Sequence, residues 1–494
     1  MSDKRKATVL LTPLLISVLS LDVHASHEDI HQKIWQEARY HRQHNQQQNE
    51  ADLTMPETLS TQKGVSWLVI HGQKLKIRNN INDIGQALYL AINDQQWQEV
   101  SYFLAIYQKM PAHDPLLVYL AKGALARIQG NLALAIAYYQ KILHQQPNFT
   151  RAKLELARLY FEDQNNRASE TLFKEIRQQH QLPNMVLKNI DRYLQAINQR
   201  DGWHGSFSFG YAYDDNINMS PNQKASCLVF KSGKCVLERH IPKPIKEGGE
   251  TYNATLSWHY QLVGHHGIFG RSLIYGEHYP HYHDENENTF LLIGGYNYKN
   301  RTQDFSFGPE FEYKHHAGNT EYHAIGAKIE WYWNITDQTA LNVELGHKKL
   351  TFQPLYHWKE GSLFSSYFRL SHAISDSTVL FGGGNWDYRH AQQPTVRYQQ
   401  WGVNTGITGQ LYSGIHGSLF ITLRKQQMGR YDPLLNARRQ DNELISTASV
   451  TFPGTKIGGM TPSITFKHRH NRSNVNWLYS YDKNEVQIQL ENYF

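Results

Sequence analysis

The residues best equipped for chemistry in this chain are its histidines, 27 in all. The densest group is His278, His281 and His283 beside Asp284 and Glu285. Imidazoles and carboxylates at that spacing can ligate a transition metal or reach a haem iron. A solvated loop has the same composition and is the reading adopted, so no metal ligand is assigned. The only thiols are Cys227 and Cys235. Two thiols with no further ligand beside them fall short of a zinc site. In an oxidising compartment they are expected to pair and staple one loop. No G-x-S-x-G or Walker loop occurs, and the single H-E-x-x-H, His27 to His31, falls in the polar lead-in. His–Asp and His–Glu pairs at strand ends are no commoner than chance provides. The expectation is a protein that is not an enzyme and holds no cofactor. One more polar run, Asp214-Asp215-Asn216-Ile217-Asn218, is made of residues that tolerate turn dihedrals and bond their own backbone, so a turn is expected there.

The elements that hold these residues are strands. From Trp203 onward apolar residues recur with period 2. Phe207, Phe209, Tyr211 and Tyr213 alternate, as do Tyr252, Ala254, Leu256, Trp258, Tyr260 and Leu262. Further runs begin at Phe290, Phe305, Ile325, Leu341, Trp401, Leu419 and Leu444. The residues between are mostly polar or small, as a hydrated lumen requires. About fourteen antiparallel strands are predicted. Short links (VGHHG, KNRT, ITDQ, SDS) alternate with longer ones at 214–249, 279–288, 351–361 and 425–441. That alternation is the mark of a transmembrane β-barrel with short periplasmic turns and long outer loops. A mean hydropathy of -0.60 argues against membrane helices but not against a barrel, whose strands turn only alternate residues to lipid. The 30 Tyr, 20 Phe and 11 Trp suit aromatic girdles.

Ahead of the barrel lies a helical repeat. Counted from Leu116 as position 1, Tyr119, Gly123, Ala126, Gly130, Ala135, Tyr139 and Pro147 fall at the positions of a tetratricopeptide unit of about 34 residues. Small residues at Gly123 and Ala135 let two helices approach, Tyr119 and Tyr139 fill the gaps, and Pro147 ends the second helix. A following unit from Thr150 carries Leu156, Ala157, Tyr160, Ser169, Phe173 and Ile176. A weaker one begins near Asn82 with Leu88, Ile92, Ser101 and Ala105, and a helix over 185–199 caps the array. Lys4, Arg5 and Lys6, the apolar run 9–21 and Val23-His24-Ala25 read as a signal peptide cleaved between Ala25 and Ser26. The expected organisation is a signal peptide 1–25, a flexible polar lead-in 26–80, a periplasmic repeat domain 81–200 and an outer-membrane barrel 201–494. A net charge of +6 with no basic block excludes nucleic acid as a natural partner.

The chain closes with Val486, Ile488, Leu490 and a terminal Phe494, the form of a last strand read by the barrel assembly machinery. Before it stand Thr461-Pro462, His468, Arg472-Ser473-Asn474 and Tyr481-Asp482-Lys483-Asn484. Together with the repeat stretch GNLALAIAYYQKIL and the segment holding Asp215, Asn216 and Asn218, this order resembles the surface lipoprotein assembly modulator (Slam) family of Gram-negative bacteria. The resemblance runs from about residue 65 to the end. It implies helical repeats on a barrel of about fourteen strands, without catalytic residues. It also implies an outer-membrane translocon that delivers client surface lipoproteins, or small secreted haem- and iron-acquisition proteins, to the cell surface. Partners implied with it are the client, outer-membrane lipid and periplasmic chaperones. A repeat-plus-barrel polysaccharide exporter is the alternative, disfavoured by the small number of repeats.

Overall fold

The computed structural model describes residues 67–70, 73–179, 182–221, 225–231 and 234–494. The expected signal peptide and its cleavage point between Ala25 and Ser26 lie outside the described residues, as does most of the lead-in. The end of that lead-in is a β-hairpin instead of a flexible polar stretch. Its strands β1 (Trp67–Ile70) and β2 (Gln73–Lys76) pair antiparallel from Trp67↔Lys76 to Ile70↔Gln73.

Seven helices follow: α1 (Ile81–Asn93), α2 (Trp97–Tyr107), α3 (Pro115–Ile128), α4 (Leu132–Gln145), α5 (Thr150–Glu162), α6 (Asn166–Arg177) and α7 (Asn184–Arg200). Polar caps start several of them. The side chains of Asn80, Asp114 and Asn131 accept hydrogen bonds from Asp83 N, Leu116 N and Leu134 N, pairing backbone donors that have no partner within the helix. Close approach in the central pair depends on Gly123. A Cβ there would lie 2.7 Å from Cε2 of Tyr139, which is fully buried together with Ala135. The turn between paired helices carries a left-handed residue two places before the second helix: Gln95 (φ 56°), Gly130 (φ 77°) and Gln164 (φ 60°). Only the central unit uses the residue type that adopts this conformation without steric cost.

In the first unit Leu88 and Ile92 are buried as expected, but the second helix sits one residue earlier than its sequence pattern implied. Val100 and Leu104 fill the positions assigned to Ser101 and Ala105, and those two face solvent. The reason is that Phe103 and Tyr107 also demand burial, and together with Val100 and Leu104 they define a different apolar stripe.

Fourteen strands close a barrel in which each is antiparallel to its neighbours. They are β3 (Gly202–Asp214), β6 (Glu247–Val263), β7 (His266–His278), β8 (Glu287–Lys299), β9 (Gln303–His316), β10 (Asn319–Asn334), β11 (Thr339–Phe352), β12 (Gly361–Ser375), β13 (Thr378–Ala391), β14 (Tyr398–Tyr412), β15 (Ile415–Met428), β16 (Gln440–Thr451), β17 (Thr461–Ser473) and β18 (Tyr481–Tyr493). Within the first loop β4 (Ala225–Lys231) and β5 (Lys234–His240) form a hairpin. Its register sets Cys227 opposite Glu238 and Cys235 opposite Phe230. The cysteine side chains are outside the described set.

The barrel's outer wall is largely apolar and exposed, with Phe207, Phe209, Ile325, Phe368, Val403, Leu423 and Ile488 among its members. Trp203, Trp258, Tyr260, Trp331 and Trp333 ring the end nearest the helices, and Tyr211, Tyr213, Trp386, Tyr388 and Trp401 ring the other. A closed cylinder with this exterior and two aromatic girdles is built for a bilayer, and the protein is an outer-membrane barrel.

The interior adds large apolar side chains to the mostly polar or small lining expected. Ion pairs are present: Lys328 Nζ lies 3.0 Å from Glu330 and 2.9 Å from Glu344, and Arg424 Nη1 lies 2.8 Å from Glu443. Yet Leu273, Leu291, Ile293, Tyr367, Phe381 and Phe420 also point inward and are buried. Phe381 and Phe420 meet at 4.8 Å, and the guanidinium of Arg369 lies between the Tyr367 and Phe381 rings.

Loop lengths follow the expected alternation with two exceptions. The outer β9–β10 link is the two-residue turn Ala317 (φ 52°) and Gly318 (φ 74°), whose twist matches the strands and needs no loop. The β16–β17 link at the opposite end is the longest on its side, spanning 452–460.

Candidate functional site

Two constructions stand out, one joining the repeats to the barrel and one closing the barrel on itself. The first starts at α7, which ends at Arg200. Only Asp201 separates it from β3. Arg200 is buried, and its Nη1 donates to Phe161 O (2.7 Å) and Asn166 Oδ1 (3.2 Å), tying the last helix to the α5–α6 turn. That turn sits on the end of β6. Gln261, 2 % exposed, donates from Nε2 to Gln164 O (2.7 Å) and accepts from Arg167 N (2.9 Å). Arg167 reaches the Tyr260 hydroxyl (2.6 Å) and Leu262 O (2.7 Å). His265, in the β6–β7 turn, lies 2.9 Å from Asp163 O and 3.0 Å from its carboxylate.

The bond to Asp163 raises the His265 pKa above its ordinary value, outweighing partial burial. A raised value means the docked state prefers the imidazolium. Its contribution is complete below about pH 6.5 and is lost as pH rises through the raised value. Hydrogen exchange at 163–167 should therefore be slowest, relative to intrinsic rates, in mildly acidic buffer. His265→Ala should remove that pH dependence; an unchanged profile would show that this contact does not hold the turn.

The second construction is the seam between β3 and β18. Its ladder runs over nine positions, from Ser206↔Tyr493 to Asp214↔Glu485, and is the shortest in the barrel. At the end near the helices, Gly205 N donates to Phe494 O (2.9 Å) and Phe494 N to Gly205 O (3.0 Å). A Cβ at Gly205 would come within 2.4 Å of the Phe494 ring, so glycine admits the terminal aromatic here. Val486, Ile488 and Leu490 face outward along the seam.

At the far end the run at 214–218 meets the run at 481–484. Asp215 accepts from Asn484 N (2.8 Å) and from Asn484 Nδ2 (2.8 Å). Asp214, 1 % exposed, pairs with Lys483 at 2.5 Å. Asn216 donates to Asp482 O (2.8 Å) and Ser220 O (2.9 Å) and accepts from Ser220 N (2.8 Å). Asn218 accepts from Ile245 N (3.0 Å), fixing the returning arm of the loop. The residues expected to make a turn thus also make a latch across the seam. Their polar types are needed because five backbone groups depend on them.

The repeat positions fall as follows. Ala157 and Phe173 are buried. Tyr119 stacks on Tyr138 at 6.1 Å, the Tyr160 hydroxyl accepts from Gln140 (3.0 Å), and Pro147 follows α4. Of the histidine group, His278 and His283 rings lie 5.9 Å apart and His281 faces Glu247 at 3.3 Å. Among the described residues no three His, Cys, Asp or Glu side chains are arranged to hold a metal ion. Sequence reasoning missed Asp163, Arg167, Gln261 and His265, because a docking contact between two elements leaves no local pattern.

Residues 203–494 match the family described as surface lipoprotein assembly modifier, and residues 70–173 match that family's N-terminal tetratricopeptide repeats. The chain belongs to the surface lipoprotein assembly modifier family. The hemophilin secretion modulator of Acinetobacter baumannii is 33% identical to this modifier over 453 residues, covering 88% of this chain and 91% of that one. Surface lipoprotein assembly modifier 1 of Neisseria meningitidis serogroup B is 22% identical over 423 residues, covering 83% of each. Surface lipoprotein assembly modifier 2 of Haemophilus influenzae is 22% identical over 436 residues, covering 86% and 88%. These names describe assembly and secretion, not catalysis.

Proposed function

We propose that this modifier is an outer-membrane translocon that delivers client proteins from the periplasm to the cell surface. Its clients are surface lipoproteins or small secreted proteins that acquire haem or iron. Residues 81–200 capture the client in the periplasm, and residues 201–494 pass it outward. The observation that carries this reading is the join. One residue links α7 to β3, and Gln261, Arg167 and His265 dock the array at the barrel end where the seam strands β3 and β18 also terminate. A repeat array binds extended or folded protein on its concave face, so a captured client is held beside the barrel mouth. The relative named for hemophilin secretion supports a secreted client; those named for surface lipoproteins support a lipidated one. Recognition of the Phe494-ended strand by the barrel assembly machinery brings the protein to its membrane.

The test compares surface proteins, labelled on intact cells, in strains with the gene, without it, and with residues 81–200 deleted. Loss of a particular client from the surface in both altered strains is expected. Normal display in the repeat-deleted strain, with the barrel present, would remove the capture step.

A further inference from the structure

The outer wall is not smooth. Across β8, β9, β10 and β11 it holds a groove of about 570 Å³ lined by Tyr296, Tyr298, Gln303, Phe305, Ile329, Trp331, Val343 and Leu345. Register explains its shape. Tyr298, Phe305, Trp331 and Val343 are consecutive cross-strand partners and form one row at the girdle nearest the helices. One step toward mid-membrane, Tyr296, Phe307, Ile329 and Leu345 form the next. Beyond that the outward positions on β8, β9 and β10 shrink to Gly294, Pro309 and Ala327, while His347 on β11 stands at the edge of the step. Large rings therefore frame a groove that is bordered on its mid-membrane side by small residues.

The open end is polar and carries one outward arginine. His266 Nδ1 lies 2.6 Å from the Tyr296 hydroxyl, and its ring packs 5.3 Å from Tyr298. Arg301 stands just after the end of β8 and reaches its acid, Asp337, at 3.9 Å, whereas Lys299 pairs with the inward Asp304 on the lumen side. Within the apolar belt every neighbour of the wall is hydrocarbon, so the occupant must be apolar along the groove and anionic at its end.

We propose that this groove is a binding site for one phospholipid of the leaflet next to the helices. An acyl chain lies between the rows, the glycerol sits at the Tyr298–Trp331 level, and the phosphate faces Arg301 and His266. The volume falls within the range of small-ligand sites. The assignment does not depend on the translocon reading.

Native mass spectrometry of the full-length protein, exchanged into mild detergent containing phosphatidylglycerol, tests it. The wild type should retain one phosphatidylglycerol in preference to phosphatidylethanolamine. Val343→Trp and, independently, Leu345→Trp fill the groove and should lower retention about tenfold, equivalent to ~1.4 kcal/mol. Val403→Trp, an outward substitution on β14, should retain the lipid as the wild type does. Arg301→Gln should erase the headgroup preference while leaving acyl binding. Folding of each variant is checked by heat-dependent mobility in gels. No retained lipid on the wild type, or equal loss from Val403→Trp, overturns the site. So does full retention by whichever groove-filling variant folds, or a protein found in the groove instead.

Discussion

Asn216→Ala should open the outer end of the seam and lower the temperature at which the barrel loses its compact form in detergent gels. Asn216 is 1 % exposed, and its amide serves Ser220 N, Ser220 O and Asp482 O. Removing it strands three buried backbone groups at about 1–3 kcal/mol each, so a local loss of several kcal/mol is expected. Asn216→Asp keeps the acceptor for Ser220 N but turns a buried carboxylate oxygen toward Ser220 O and Asp482 O beside Asp214 and Asp215, so it should destabilise at least as much as alanine. Seam-specific hydrogen exchange at 206–214 and 485–493 should accelerate in both variants while β10 and β11 stay protected. Uniform loss of protection round the barrel would show instead that the latch holds the whole fold.

Tethering the seam should have the largest effect on delivery. Ser208 and Glu491 are register partners on β3 and β18, and directly opposed residues of antiparallel strands lie within reach of a disulfide. With Ser208→Cys and Glu491→Cys together, oxidation should cut surface display of the client by more than about tenfold, on the order of 1.4 kcal/mol or more in effective barrier. Reductant should restore it. A Ser418→Cys, Ser449→Cys pair, opposed on β15 and β16, should be harmless. This expectation rests on two observations. The seam is the shortest ladder, and inward Tyr367, Phe381 and Phe420 put apolar side chains in the path through the lumen. Undiminished display from the oxidised seam would send the client through the lumen.

How much of this was legible in the sequence depended on whether one face of an element differs from the other. Strand β9 shows Phe305, Phe307, Pro309, Phe311 and Tyr313 outward against Ser306, Gly308, Glu310, Glu312 and Lys314 inward, and its alternation is plain. Strands β7, β12 and β13 are harder to see. Phe269 and Leu273, Leu363 and Tyr367, and Val379 and Phe381 are inward apolar residues, so both faces read alike and the period cancels. The repeat positions in the central unit were legible because Gly123 and Tyr139 are a size pair that only close helices require. In the first unit Phe103 and Tyr107 shifted the buried stripe by one residue. The latch was half legible. Turn-forming chemistry at Asp214, Asp215, Asn216 and Asn218 is a local property, whereas their partners at 481–484 lie more than 260 positions away in the chain. The docking residues carry no local signal, since Gln261 and His265 resemble any other strand-end polar residues until α5 and α6 are set against them.

The junction at Asp201 has a mechanical consequence. With no slack between the final helix and the first barrel strand, and with Arg200 anchored to Phe161 O and Asn166, the repeats cannot swing as a tethered arm. A client held on the array, as proposed, would pull on β3, the strand whose other edge is the shortest ladder of the cylinder. On that reading load and seam opening share one axle, and a flexible spacer of ten residues inserted after Arg200 should uncouple them.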